Sequence, residues 1–356
     1  MKAAFDRARR FADRLDIRIP IVLAPMAGAC PPSLSIAVGR GGGLGGCGAL
    51  LMKPDEIVAW ADEVRGAGAP VFQMNLWLPD PEPVRDPAHE ARLRTFLEAW
   101  GPPVPAERGD IRPLDFAAQC DALIAARAPV VSSIMGLFPQ AYVARLKDAG
   151  ILWFATVTTV AEAKDAAAAG ADVIVAQGGE AGGHRGAFDA GRAETELVGL
   201  FSLLPAIVDA VDVPVVATGG VADARGIVAA LALGASAVQI GTGFLRCPEA
   251  RINATWADAL ARTLPEDTLL TRAFSGRPGR SIANDFTRAF AAPDAPEPAP
   301  HPVQRGLAAP MKAQGAAQGN LQRMQAWAGQ SAALARAVPA DELVRQLWDE
   351  ARALAG

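Results

Sequence analysis

The sequence predicts an α/β protein, a (β/α)8 TIM barrel with a C-terminal, mostly helical cap segment. Three observations carry that expectation. Short apolar runs of β type recur eight times, and most are continuous instead of alternating, as in strands buried on both faces. Helical patterns separate most of the runs, and several end at a glycine suited to a left-handed stop. Glycines and small hydroxyls gather at the C-terminal ends of successive runs, where such a barrel carries its active-site loops.

In chain order the runs are residues 21–24, 43–48, 71–76, 130–134, 151–157, 173–177, 215–218 and 237–241. The second is crowded with glycine. Helical patterns cover 54–65, 140–149, 159–169, 197–210 and 223–233. The first has Pro54 in its opening turn, and Gly150, Gly170 and Gly234 are stops. Asp223 is placed to cap the last of these helices. Residues 79–113 are proline-rich and charged, which predicts a surface insertion, and 178–195 read as a glycine-rich loop. Repetition of βα units toward eight favours a closed barrel over a doubly wound open sheet. After residue 261 the rhythm stops. The stretch AAPDAPEPAPHP (291–302) predicts an extended surface segment. Helical pattern resumes from 310, with Leu321, Met324 and Trp327 near one face, and 343–354 form a final helix. The expected division is a barrel core over 1–264 and a C-terminal segment over 265–356 packing on it.

The chain has 356 residues, 51% apolar and 20% charged, with a net charge of −4. A large core is available, and no basic footprint points to nucleic acid or an anionic membrane. A small molecule is the expected partner. Oligomeric state is not readable. Cys30, Cys47, Cys120 and Cys247 form no CxxC pair, which fits reduced thiols and a cytoplasmic location. No apolar run is long enough to span a bilayer. Three scattered histidines without HExxH predict no metal site, and GxSxG is absent. In GRGGGLGGCG (39–48), Gly41, Gly43 and Gly46 match the order GxGxxG. They lie in and around a strand, with no acidic residue in the right strand context some 20 residues on, so a Rossmann dinucleotide site is rejected.

The candidate site lies at the strand ends. These are Ala24-Pro25-Met26, Gln73-Met74-Asn75, Gln177 through His184, Thr218-Gly219-Gly220 and Gln239-Ile240-Gly241-Thr242. Any one of these glycines alone reads as a tight turn. Together, after the last two strands of a barrel, they predict backbone N–H groups cradling a phosphate. His184, flanked by Gly182, Gly183 and Gly186, is the candidate general base. Glu180 on the same loop reads first as a solvated charge.

These strand ends, with GGEAGGHRG (178–186), ATGGVAD (217–223), QIGTGFL (239–245), AFSGRPGRSIAN (273–284) and WAGQSAALAR (327–336), resemble the nitronate monooxygenases, formerly 2-nitropropane dioxygenases. The resemblance covers nearly the whole chain. It implies non-covalent FMN in a barrel and oxidation of alkyl nitronates by O2 to a carbonyl compound and nitrite, without NAD(P)H. It makes His184 the catalytic base. The implied cofactor-binding residues are Ala24, Pro25, Met26, Asn75, Gln177, Gly182, Gly183, Gly219, Gly220, Gln239, Ile240, Gly241 and Thr242. Gly329 and Gln330 are expected near the flavin or substrate. The chain departs at Pro31-Pro32 and at HPVQ, where His301 stands in place of the tyrosine of many members. Its one tyrosine, Tyr142, falls on a predicted outer helix. An NAD(P)H-dependent FMN reductase of quinones or enoyl thioesters would use the same barrel and loop. A flavin- or phosphate-binding module without activity is the other alternative.

Overall fold

The strands, in chain order, are β1 (Ile21–Leu23), β2 (Gly45–Gly48), β3 (Phe72–Trp77), β4 (Val130–Ile134), β5 (Leu152–Val157), β6 (Val173–Gln177), β7 (Gly183–His184), β8 (Val215–Thr218), β9 (Ala237–Ile240), β10 (Thr268–Thr271) and β11 (Gly279–Ile282). A computed structural model describes residues 1–356. Eight strands form one all-parallel sheet in the order β1-β9-β8-β6-β5-β4-β3-β2. The ends of that order meet at a parallel bridge between Val22 and Leu44, where Leu44 N–H donates to Ile21 O at 2.9 Å and Leu23 N–H to Leu44 O at 2.8 Å. The barrel therefore closes, as the run pattern predicts.

The glycine-crowded second run serves this closure. A Cβ on Gly43 would lie 2.7 Å from Ile21 O, and one on Gly46 2.5 Å from Leu23 O. On the other side, a Cβ on Gly45 would lie 2.9 Å from Ser35 O. Only glycine lets β2 pass this close to β1 and to the helix Pro32–Gly41.

The N-terminal helix Lys2–Arg14 sends Phe11 and Ala12 against inward-facing Val22, Val130, Phe154, Val173 and Val216, plugging the barrel's N-terminal end. Helices ring the outside. One ring member is unexpected: Ala340–Ala355 packs between Pro32–Gly41 and Ala224–Ala232, with Leu343, Val344 and Leu347 buried in the main core. It fills the ring position that follows β9. The sequence reading places it in the segment over the barrel, because nearly a hundred residues separate it from its strand. We propose to count it with the barrel.

The insertion after β3 is more than surface. Its helix Pro87–Glu98 is capped by Asp86, whose Oδ1 accepts from Ala88 and His89 N–H at 3.0 Å each. Leu93, Leu97 and Val104 pack with Phe274, Phe286, Val303 and Met311. Insertion and C-terminal segment thus share a second core above the strand ends. No helix is long and apolar enough to cross a membrane.

Candidate active site

The C-terminal strand ends open into a cavity of about 660 Å³ roofed by the second core, within the usual size range for small-molecule sites. Along one side run β1, β8 and β9. Gly219 and Gly220 follow β8 with φ of 104° and 73°, a region that penalises side chains. Their N–H groups make no hydrogen bond within the protein. Gly241 also lines the cavity with its N–H unspent, and a Cβ there would meet Ala24 Cβ at 3.2 Å and Met26 Sδ at 3.3 Å. Its bareness makes room for the end of β1, whose Met26 lines the cavity.

The loop after β6 is fixed from several sides. Gln177 Oε1 accepts from Gly186 N–H at 2.8 Å and from Arg185 Nη1 at 3.1 Å, and its Nε2 donates to His184 O at 3.1 Å. Gly183–His184 pairs antiparallel with β11, Gly279 opposite His184. Glu180 is no free loop charge. Both of its carboxylate oxygens accept from Leu200 N–H, at 2.9 and 3.0 Å, capping the helix Leu200–Val208. Its backbone oxygen accepts from Gln330 N–H at 3.0 Å.

That framework presents one imidazole to the cavity. The His184 ring stands edge-on to Trp77 with centroids 4.7 Å apart, and 4.8 Å from Trp327. Its Nε2 is 2.7 Å from Ser275 Oγ, while Nδ1 has no partner in the protein. Burial, reinforced by His301, Arg277, Lys312 and Arg305, holds the ring well below the usual imidazole range, so it is neutral at neutral pH.

The far wall is cationic. Arg305 and Lys312 line the cavity, and neither has a carboxylate partner. Lys312 Nζ donates only to Phe274 O at 3.1 Å. Burial, with Arg305 adding, pushes its ammonium down to about 7. A wall that keeps two unpaired cations out of bulk water is suited to an anion.

The chain matches the family model for nitronate monooxygenase over residues 9–350. The chain belongs to the nitronate monooxygenase family. A nitronate monooxygenase of Paraburkholderia phytofirmans is 40% identical, covering 94% of this chain and 93% of its own. That of Pseudomonas aeruginosa is 38% identical over 96% of this chain and 99% of its own. Among solved structures, the nitroalkane oxidase of Streptomyces ansochromogenes superposes with a TM-score of 0.86 at 37% identity, over 98% of this chain and 100% of that one. FabK of Thermotoga maritima follows at a TM-score of 0.75 and 28% identity, over 97% and 96%.

Seen as a nitronate monooxygenase, the chain gathers most of its sequence-derived site residues around one space. Ala24, Pro25, Met26, Asn75, Gln177, Gly182, Gly183, His184, Gly219, Gly220, Gln239, Gly241 and Thr242 all line the cavity. Ile240 does not. It is 1% exposed and packs outward against the helical layer, because alternate strand residues face opposite ways. Of the tail pair, Gly329 lines the cavity and donates its N–H to Thr242 Oγ1 at 3.0 Å, whereas Gln330 stays outside. Tyr142 is remote, its hydroxyl donating to Cys120 O at 3.1 Å. Sequence reasoning missed Trp77, Ser275, Arg305 and Lys312. Trp77 was within reach, since it extends the strand that carries Asn75.

Proposed function

We propose that this chain binds FMN at the ends of β1, β8 and β9 and oxidises alkyl nitronates with O2 to a carbonyl compound and nitrite. One observation carries the reading: a neutral histidine, clamped by two indoles, faces the same cavity as a bare glycine cradle and an unpaired cationic wall. The cradle fits a flavin phosphate, because the Gly219 and Gly220 N–H groups are unspent and Gly182 packs against Gly329 too closely for any side chain. When bound, the flavin supplies the redox centre through which electrons pass from nitronate to O2.

The protein's own work is binding and proton handling. Arg305 and Lys312 attract the nitronate anion, and Trp77 and Trp327 keep water from the reacting carbon. We assign the Ser275 hydroxyl proton to Arg277 O, 3.2 Å away, so that Ser275 accepts from Nε2–H of His184. Nδ1 then carries the lone pair. For a neutral nitroalkane that lone pair removes the α-proton, and a preformed nitronate needs no such step.

The test is anaerobic reduction of the purified holoenzyme. A nitronate is expected to bleach the flavin, NADH is not, and heat-released cofactor should co-elute with FMN. Bleaching by NADH alone would place the chain with the reductases, and FAD as the main species would refute the phosphate site.

A further inference from the structure

A second imidazole faces the cavity, and nothing in the reaction as described uses it. His301 precedes the helix Val303–Leu307, in the segment after β11. Its Nδ1 lies 3.2 Å from Oδ2 of Asp80, which comes from the loop after β3. The other carboxylate oxygen of Asp80 is 2.9 Å from Nη2 of Arg277, whose side chain is only 4% exposed. The ring stands 5.8 Å from Trp77, against which His184 also packs at 4.7 Å. Its Nε2 has no protein partner, and the ring lines the cavity.

We infer that His301 is an anion-binding residue of this site, whose Nε2 takes up a proton from solvent when an oxyanion binds beside it. The identification of that oxyanion as the nitro group of the substrate rests on the function proposed above.

The argument follows the charges that face the ring. Asp80 is ionised: burial works against it, but the His301 hydrogen bond and the Arg277 charge outweigh burial and hold it below the usual carboxylate range. An ionised carboxylate only accepts, so Nδ1 carries a proton and Nε2 is the nitrogen that changes state. Arg277 cancels the Asp80 charge. Arg305 and Lys312 line the same cavity, and neither has a carboxylate partner. An anion between these groups reverses the sign of the field at Nε2, and an opposite charge a few ångströms away favours the protonated ring. Asp80 then steadies the imidazolium from behind. Binding and protonation are therefore linked, and affinity falls as pH rises.

The test uses FMN-loaded enzyme and nitrite, a planar oxyanion that needs no turnover. Nitrite is titrated under anaerobic conditions by flavin absorbance across pH. It is also titrated by calorimetry in two buffers of different ionisation heat, which counts the protons taken up. The wild type should take up as much as one proton per nitrite, with affinity falling about tenfold per pH unit on the alkaline side. His301→Gln and His301→Tyr should take up less, keeping only the share that Lys312, whose ammonium is pushed down to about 7, supplies. Asp80→Asn should move the uptake to lower pH. Lys312→Met, which removes the other titrating cation, should bind more weakly yet retain the uptake. Uptake undiminished in either His301 variant, surviving when Lys312→Met is combined with His301→Gln, or vanishing in Lys312→Met alone overturns the inference, as does failure of the wild type to bind nitrite. Absence of nitronate turnover alongside normal linked nitrite binding would instead count against the proposed function alone.

Discussion

Replacing His184 by asparagine tests the proton-transfer role. The substitution leaves the framework in place, because the loop is held by backbone pairing with β11 and by Gln177, not by the imidazole. Ser275 is not orphaned, since it keeps Arg277 O within 3.2 Å. What is lost is the Nδ1 lone pair. General-base removal costs about 10²–10⁴-fold, or about 3–5 kcal/mol of barrier. For a nitroalkane that the wild type accepts in both forms, oxygen uptake on the neutral form should fall by that factor. Uptake on the preformed nitronate should fall far less. The pH dependence has a definite sign. The ring is held below its ordinary value of 6.5, so it stays unprotonated as pH drops through 6.5, and the neutral substrate's rate declines only below that. Loss of the same size on both substrate forms, or a wild-type acid limb at or above pH 6.5, would refute the assignment.

Two further predictions concern the loop. Gly182→Ala places a methyl against the Gly329 backbone and 2.6 Å from the Ala328 carbonyl carbon, and should cost about 1–3 kcal/mol together with flavin retention. Gly183→Ala meets nothing within 4 Å, pays only for its positive φ, and should keep the flavin; spectrophotometry and thermal melts compare the two. Glu180→Ala removes the cap from Leu200–Val208 and should destabilise the protein by about 1 kcal/mol in denaturant titration, with little change if the capping bonds contribute nothing.

The barrel was legible in the sequence because it repeats. Continuous apolar runs and glycine stops are local signals, and even the run at 43–48, weakest as a pattern, proved to be a strand whose glycines permit closure. Cavity residues on strand ends were legible for the same reason. Ile240 was misplaced because a motif names consecutive residues while a strand turns alternate ones away. The rest is non-local. His301 meets Asp80 across 221 positions of chain, and Glu180 finds its helix twenty residues on. The two-residue β7 has no sequence pattern of its own and exists because β11 pairs with it.

The helix Ala340–Ala355 gives the barrel an assembly order. Its strand, β9, ends at Ile240, so during synthesis the ring stands one member short while residues 241–339 emerge. Until the last helix docks, the apolar flanks of Pro32–Gly41 and Ala224–Ala232 face water or a chaperone. The roof over the cavity is thus spliced into the final βα unit. Truncation before residue 340 would leave a barrel with an open, sticky seam, which limited proteolysis of the truncated chain beside the full one would show.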